Sequence, residues 1–183
     1  MRVIEPPPAV LADLKARYSE PQRAYHSWSH IEALLALYET HKGMLRDPTR
    51  VLWAIYWHDA IYDPSSPDNE VKSAALLREQ AAAHLPDALG FDVKTDCAAF
   101  LDFDLSILAA PEDVFDQYEA NIRKEYSFVP EETFISARKA TLERFVQRET
   151  LYFTPMLARQ WDHKARANLR RSIGKLSDGI IAA

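Results

Sequence analysis

Three short stretches of this chain carry side chains suited to a divalent cation: His26-Ser-Trp-Ser-His30, the adjacent pair His58-Asp59, and Asp102-Phe-Asp104. Imidazoles and carboxylates are the usual ligands of borderline and hard divalent metals. His26 and His30 stand at i and i+4. His58-Asp59 ends PTRVLWAIYWHD, the most apolar helical stretch in the sequence. A carboxylate buried there is costly unless a cation or partner neutralises it. Each piece also has a plain structural reading. A helix-end histidine can pair with a neighbouring acid, two histidines at this spacing can form a satisfied polar patch, and a lone aspartate can cap a helix. The order of the three pieces favours one shared interior point, supplied from different helices as in other bundle metal sites.

The segments that would position these residues are helical, and strand-like alternation is scarce. Residues 8–18 group Val10, Leu11, Leu14 and Tyr18, and residues 28–41 place Ile31, Leu34, Leu35 and Tyr38 on one stripe. Residues 48–61 are apolar nearly all round, which predicts a helix in the middle of a bundle. Asp63-Pro64 ends it, because proline disfavours helical geometry in the residue before it. Beyond the PSSP loop, Asp68 is the predicted N-cap of an alanine-rich helix reaching Leu85. One or two helices are expected over 92–110, broken near DFDLSIL. Pro111-Glu112-Asp113 and Pro130-Glu131-Glu132 each open a helix with acids in the first turn, where they favour the macrodipole. These two end near Tyr126 and Glu149. TLYFTP reads as a turn and residues 162–176 as a last amphipathic helix. The expectation is an all-α fold, a compact single-domain bundle of about seven to nine helices over residues 1–183.

The 183 residues suffice for one domain with a sizeable core. Only 4 glycines occur against 11 prolines, which argues against Rossmann and P-loop folds, whose phosphate turns need glycine. The single cysteine, Cys97, excludes an internal disulfide and a thiolate zinc cluster, and reads as a small buried hydrophobe. No apolar run approaches a membrane span and no leader-like segment is seen, so a cytoplasmic protein without a membrane partner is expected. A net charge of -5 gives no reason to expect a nucleic-acid polymer as partner. The charge is unevenly spread: residues 1–120 hold 10 Lys/Arg and 20 Asp/Glu, and residues 121–175 hold 12 and 6. The acidic part suits a cation and the basic part could hold a polyanionic substrate; alternatively these are two solvated faces. Self-association as a homo-oligomer is left open.

AYHSWSHIEALL, AIYWHDAIYDPSSPDNEVKSA, FLDFDLSIL and YEANIRKEYSFV together resemble the HD superfamily, and within it the metal-dependent HD phosphohydrolases. The resemblance covers most of residues 15–170. It implies an HD-type helical domain with its signature region at 22–128 and C-terminal helices over 130–177 packing on it. It also implies one divalent metal held by His30, His58, Asp59 and Asp104. Asp104 is chosen because the family's distal aspartate aligns with the Asp before Leu in DFDLSIL; Asp102 is the competitor, expected behind the ligands. His26 is expected behind the ligands or facing the substrate. Two positions depart from the pattern. Ala109 stands where the subgroup has glycine after SIL. Tyr62-Asp63 stands where alarmone-hydrolysing relatives have Glu-Asp, which argues against that substrate. Only His84 lies between Asp59 and Asp104, too few histidines for the second metal of dinuclear relatives or for an oxygenase.

The implied activity is hydrolysis of an ester or anhydride bond in a nucleotide or other small phosphorylated metabolite, by water activated at Mn, Co, Ni, Fe or Zn. Asp59 then belongs to the reacting centre, and Asp63, just beyond it, is the candidate general base. Glu70 is the second candidate, equally readable as a first-turn acid. Arg123 and Lys124 in NIRKEY, and Arg23 before Tyr25-His26, are candidate phosphate clamps, since a guanidinium fork suits phosphate. Each can also be an ordinary helix-surface charge. Tyr25, Trp28, Trp53, Trp57 and Tyr62 either offer a base a stacking partner or pack the core. The alternative function is a catalytically silent HD module that senses a nucleotide and signals to a partner.

Overall fold

The computed structural model describes residues 3–85 and 95–179. Among them are eight α-helices and two short 3₁₀ turns, and no strand. The helices are α1 (Pro8–Arg17), α2 (Trp28–His41), α3 (Pro48–Trp57), α4 (Asn69–Ala81), α5 (Asp96–Asp104), α6 (Glu112–Glu125), α7 (Glu131–Gln147) and α8 (Pro155–Ser177). The 3₁₀ turns are Lys42–Met44 and Leu105–Ala109. The chain divides into two compact units, Met1–Phe103 and Asp104–Ala183. The division falls at the last residue of α5, so that helix is described whole with the first unit.

In the first unit α3 packs between α2 and α4. Every α3 residue from Thr49 to Trp57 except Arg50 is buried, as its uniformly apolar sequence requires. Trp53 and Trp57 are core residues, their rings stacked at 4.9 Å. Their indole N–H groups still find acceptors, the Ile4 carbonyl and Gln80 Oε1 respectively, as buried tryptophans normally must. The start of α3 is tied down twice. Asp47 accepts the Arg50 N–H, and the buried Asp96 of α5 accepts the backbone N–H groups of Arg46 and Asp47 at 2.9 and 2.7 Å. Those bonds keep the Asp96 carboxylate from being a naked buried charge.

Two expectations for this unit need correction. The helix expected over 48–61 stops at Trp57. The carbonyls of Asp59 and Ala60 accept from the Arg23 guanidinium, and Ser73 Oγ engages both N–H and C=O of Ile61. Tertiary partners thus replace the helical ladder one turn early. Asp68 occupies the position before α4 but its side chain makes no cap bond. The preceding loop is instead organised by Asn69, which accepts the Asp63 N–H and donates to the carbonyls of Asp63 and Ser66. The start of the helix expected over 92–110 lies outside the described residues.

Tyr38 of α2 is 1% exposed, and its hydroxyl has no hydrogen-bond partner among the described residues. Burial, followed by the negative field of Glu39, Glu5 and Asp47, pushes its pKa up to about 12. The folded state thus holds this proton more tightly than the unfolded chain does. Stability that is intact below the unfolded tyrosine's pKa is lost as pH rises toward the folded value. Tyr38→Phe removes an unsatisfied polar atom and is expected to raise neutral-pH stability by about 1 kcal/mol. It is also expected to flatten the decline above about pH 10. Urea unfolding of both proteins across the alkaline range checks this; a Phe variant less stable than the parent at neutral pH overturns it.

The second unit is built on α8. This helix starts seven residues earlier than the expected 162–176, with Pro155 at its first position. Ala165, Leu169 and Leu176 on its buried side pack with Leu108, Phe115 and Leu142, and Leu157 is buried as well. The TLYFTP turn is more than a connector. Leu151 and Tyr152 are buried in the same cluster, and the Tyr152 hydroxyl donates to the Leu105 carbonyl. Asn168 donates to the carbonyls of Leu108 and Ala110, where the 3₁₀ turn runs out of helical partners. Arg166 serves the end of α7 in the same way, reaching the carbonyls of Val146, Arg148 and Glu149.

Candidate metal centre

The helix ends bring the imidazoles together. His30 lies in the first turn of α2 and is 6% exposed. His58 is the C-cap of α3, with Asp59 immediately after it. His58 Nδ1 lies 2.9 Å from the Ile55 carbonyl. A carbonyl can only accept, so Nδ1 carries a proton and Nε2 is the atom turned toward His30 and Asp59. That Nε2 is 3.2 Å from His30 Nε2 and 3.2 Å from Asp59 Oδ2. Asp104, the last residue of α5, completes a group with His30 and His58 whose ligand atoms all lie within 4.8 Å of one another.

This donor set fits one divalent ion. Two imidazole nitrogens bound to a common zinc-like ion, in octahedral or tetrahedral geometry, stand roughly 2.9–3.4 Å apart. The observed 3.2 Å is in that range. The Ile55 carbonyl supplies the outer contact that ligating histidines almost always make. Asp102, two residues before Asp104 on the same helix, is fully buried. Successive helical positions two apart point to different sides, and Asp104 is the aspartate grouped with the histidines.

Asp59 stands beside this triad and keeps its charge. Burial pushes its pKa up, but the attraction and hydrogen bond of His58, then His26 and His30, hold the carboxyl well below the usual range. His26 Nε2 is 3.9 Å from Asp59 Oδ2, and its ring stacks on Tyr62 at 4.4 Å. His26 thus lies between Tyr62 and the Asp59 carboxylate.

The residues expected to assist catalysis or grip phosphate have other partners. Asp63 is exposed and accepts both the N–H and the hydroxyl of Ser65. Those two bonds lower its pKa, the direction opposite to what a base working near neutrality requires. Its carboxylate closes the loop after α3. Glu70 is exposed in the first turn of α4, where it favours the helix dipole. Arg123 donates to the carbonyls of Tyr126 and Val129 and lies over the Phe134 ring; it holds the turn from α6 to α7. Lys124 is exposed on α6. Arg23, expected at a surface or on a substrate, has a fully buried side chain. Sequence reading missed Tyr18, whose hydroxyl accepts the Asp59 N–H at 3.2 Å, and Asp96. Neither carries a local signal, because their partners lie 41 and about 50 residues away.

Comparison of the chain with protein-family models, curated proteins and solved structures yields no match.

Proposed function

We propose that the protein is an HD-type, metal-dependent phosphohydrolase acting on a nucleotide or other small phosphorylated metabolite. One divalent ion would be held by His30, His58, Asp59 and Asp104. The observation that carries this reading is the pair of Nε2 atoms 3.2 Å apart, with two carboxylates at hand. Two imidazoles meeting edge to edge need either a shared proton or a cation between them, and the carboxylates favour the cation. Among Mn, Co, Ni, Fe and Zn, all accept this mixture of nitrogen and oxygen. Such an ion, when bound, polarises a phosphoryl oxygen and acidifies water. The chain's part is to hold the donors, keep Asp59 ionised and fix the proton of His58 on Nδ1.

The test is elemental analysis of fresh protein, then phosphate release from nucleotides and sugar phosphates with each metal added in turn. Release with at least one metal, at one ion per chain, is the expected result. The alternative, a silent nucleotide-sensing module, draws support from the structural contacts of Arg23, Asp63 and Arg123, which leave base and clamp without an obvious owner. Binding of a nucleotide without turnover under every metal selects it. The choice of aspartate is checked separately: Asp104→Ala is expected to weaken metal binding more than Asp102→Ala, per folded molecule. The reverse order in a metal titration refutes the assignment.

A further inference from the structure

Asp59 is gripped by its backbone from both sides. Its N–H donates to the Tyr18 hydroxyl at 3.2 Å, and its carbonyl accepts from Arg23 Nη1 at 2.8 Å. The same Nη1 donates to the His26 carbonyl at 2.9 Å, while Nη2 reaches the Ala60 carbonyl at 3.2 Å. Arg23 Nε lies 3.1 Å from Glu20 Oε2. The guanidinium is stacked over the Tyr18 ring at 4.9 Å and over the Tyr62 ring at 5.3 Å, and Tyr62 in turn stacks on His26. One planar cation therefore joins the segment before α2 to the chain leaving α3, at the residues that carry His26 and Asp59.

We infer that Arg23, working with Tyr18, is the positioning residue of this centre, setting Asp59 and His26 against His58. The inference deepens the metal reading and rests on it for its functional consequence. A fork is needed for the task. Lysine has one donor nitrogen at the end of a flexible stem and cannot reach three carbonyls on two segments in a fixed plane. It also loses the flat face that lies on the tyrosines. Loosening Asp59 by a fraction of an ångström matters because ligand geometry tolerates little displacement.

The variant is Arg23→Lys, with Tyr18→Phe as a milder second that keeps the ring and drops only the acceptor for Asp59. Three readouts on the full chain separate the roles: melting temperature, cobalt affinity well below that temperature, and imidazole nitrogen and proton signals by NMR without metal. Expected are a folded Arg23→Lys protein, cobalt affinity down about tenfold to a hundredfold as for outer contacts of metal ligands, and shifted His26 and His58 signals beside unmoved His163 signals. Tyr18→Phe is expected to shift the same two histidines and lower affinity less. Unchanged imidazole signals and unchanged cobalt affinity in a folded variant make Arg23 a fold strut and overturn the inference. If Arg23→Lys does not fold, Tyr18→Phe decides on the same criteria. If the wild type binds no cobalt, the metal reading fails by itself, while the metal-free NMR comparison still decides whether Arg23 and Tyr18 position the histidines.

Discussion

Replacing His58 with alanine is expected to abolish binding of the proposed divalent ion, and any phosphate release with it. The side chain is the hub of the donor set: its Nε2 is equally close to His30 and to Asp59, at 3.2 Å each. The ring is held by the Ile55 carbonyl at the point where α3 stops. Loss of an outer contact typically lowers metal affinity about tenfold to a hundredfold; loss of the ligand itself should exceed that range. Asp59→Ala is expected to act in the same direction. It removes the anion that His58 and His26 hold well below the usual carboxyl range, and with it much of the charge that attracts a cation. His163→Ala is the control, since that residue is exposed on α8. Equilibrium dialysis followed by elemental analysis measures all three. Metal content in His58→Ala equal to the parent's refutes the centre.

A second large effect is expected on stability, in the second unit. Arg138 donates to both carboxylate oxygens of Glu119 and to the Tyr118 hydroxyl, and Ser172 Oγ donates to Glu119 as well. Side-chain exposure of the pair is only 11% and 9%. Breaking a buried ion pair by removing one partner costs about 3–5 kcal/mol, because the other charge is left without compensation in a poorly polarisable interior. Arg138→Met should therefore lower unfolding free energy by about that amount. Replacing both members, Arg138→Met with Glu119→Leu, should recover most of the loss, since well-packed apolar side chains often match a buried pair. Urea unfolding of the two single variants and the double variant measures the coupling. A single-variant loss below about 1 kcal/mol, the range of exposed pairs, shows that the network carries little of the unit's stability.

Much of the helical framework is legible in the chain because helix formation is governed by local chemistry. The starts of α6 and α7 follow Pro111 and Pro130 and carry acids in the first turn, as the dipole and the missing proline N–H require. The burial of α3 on nearly all sides follows from its apolar composition. The break after Asp104 into a 3₁₀ turn falls within DFDLSIL, where the pattern changes. The types and order of the candidate metal donors are equally a property of the sequence.

The tertiary structure decided what each polar group is committed to. In sequence, Arg23, Asp63 and Arg123 are three charged residues near a candidate site. In the fold, Arg23 serves carbonyls from two distant segments, Asp63 closes a loop on Ser65, and Arg123 holds a turn. Composition cannot distinguish these uses, because a guanidinium binds a carbonyl or a phosphate with the same donors. The end of α3 also depends on partners remote in sequence, since Arg23 and Ser73 compete with the helical ladder for residues 59–61. DFD by itself names two aspartates of identical chemistry. Their two-residue offset on α5 buries Asp102 and leaves Asp104 grouped with His30 and His58. Local sequence thus determined the helices and the inventory of donors, whereas long-range packing determined which donors meet, because convergence depends on the directions of helices and not on spacing along the chain.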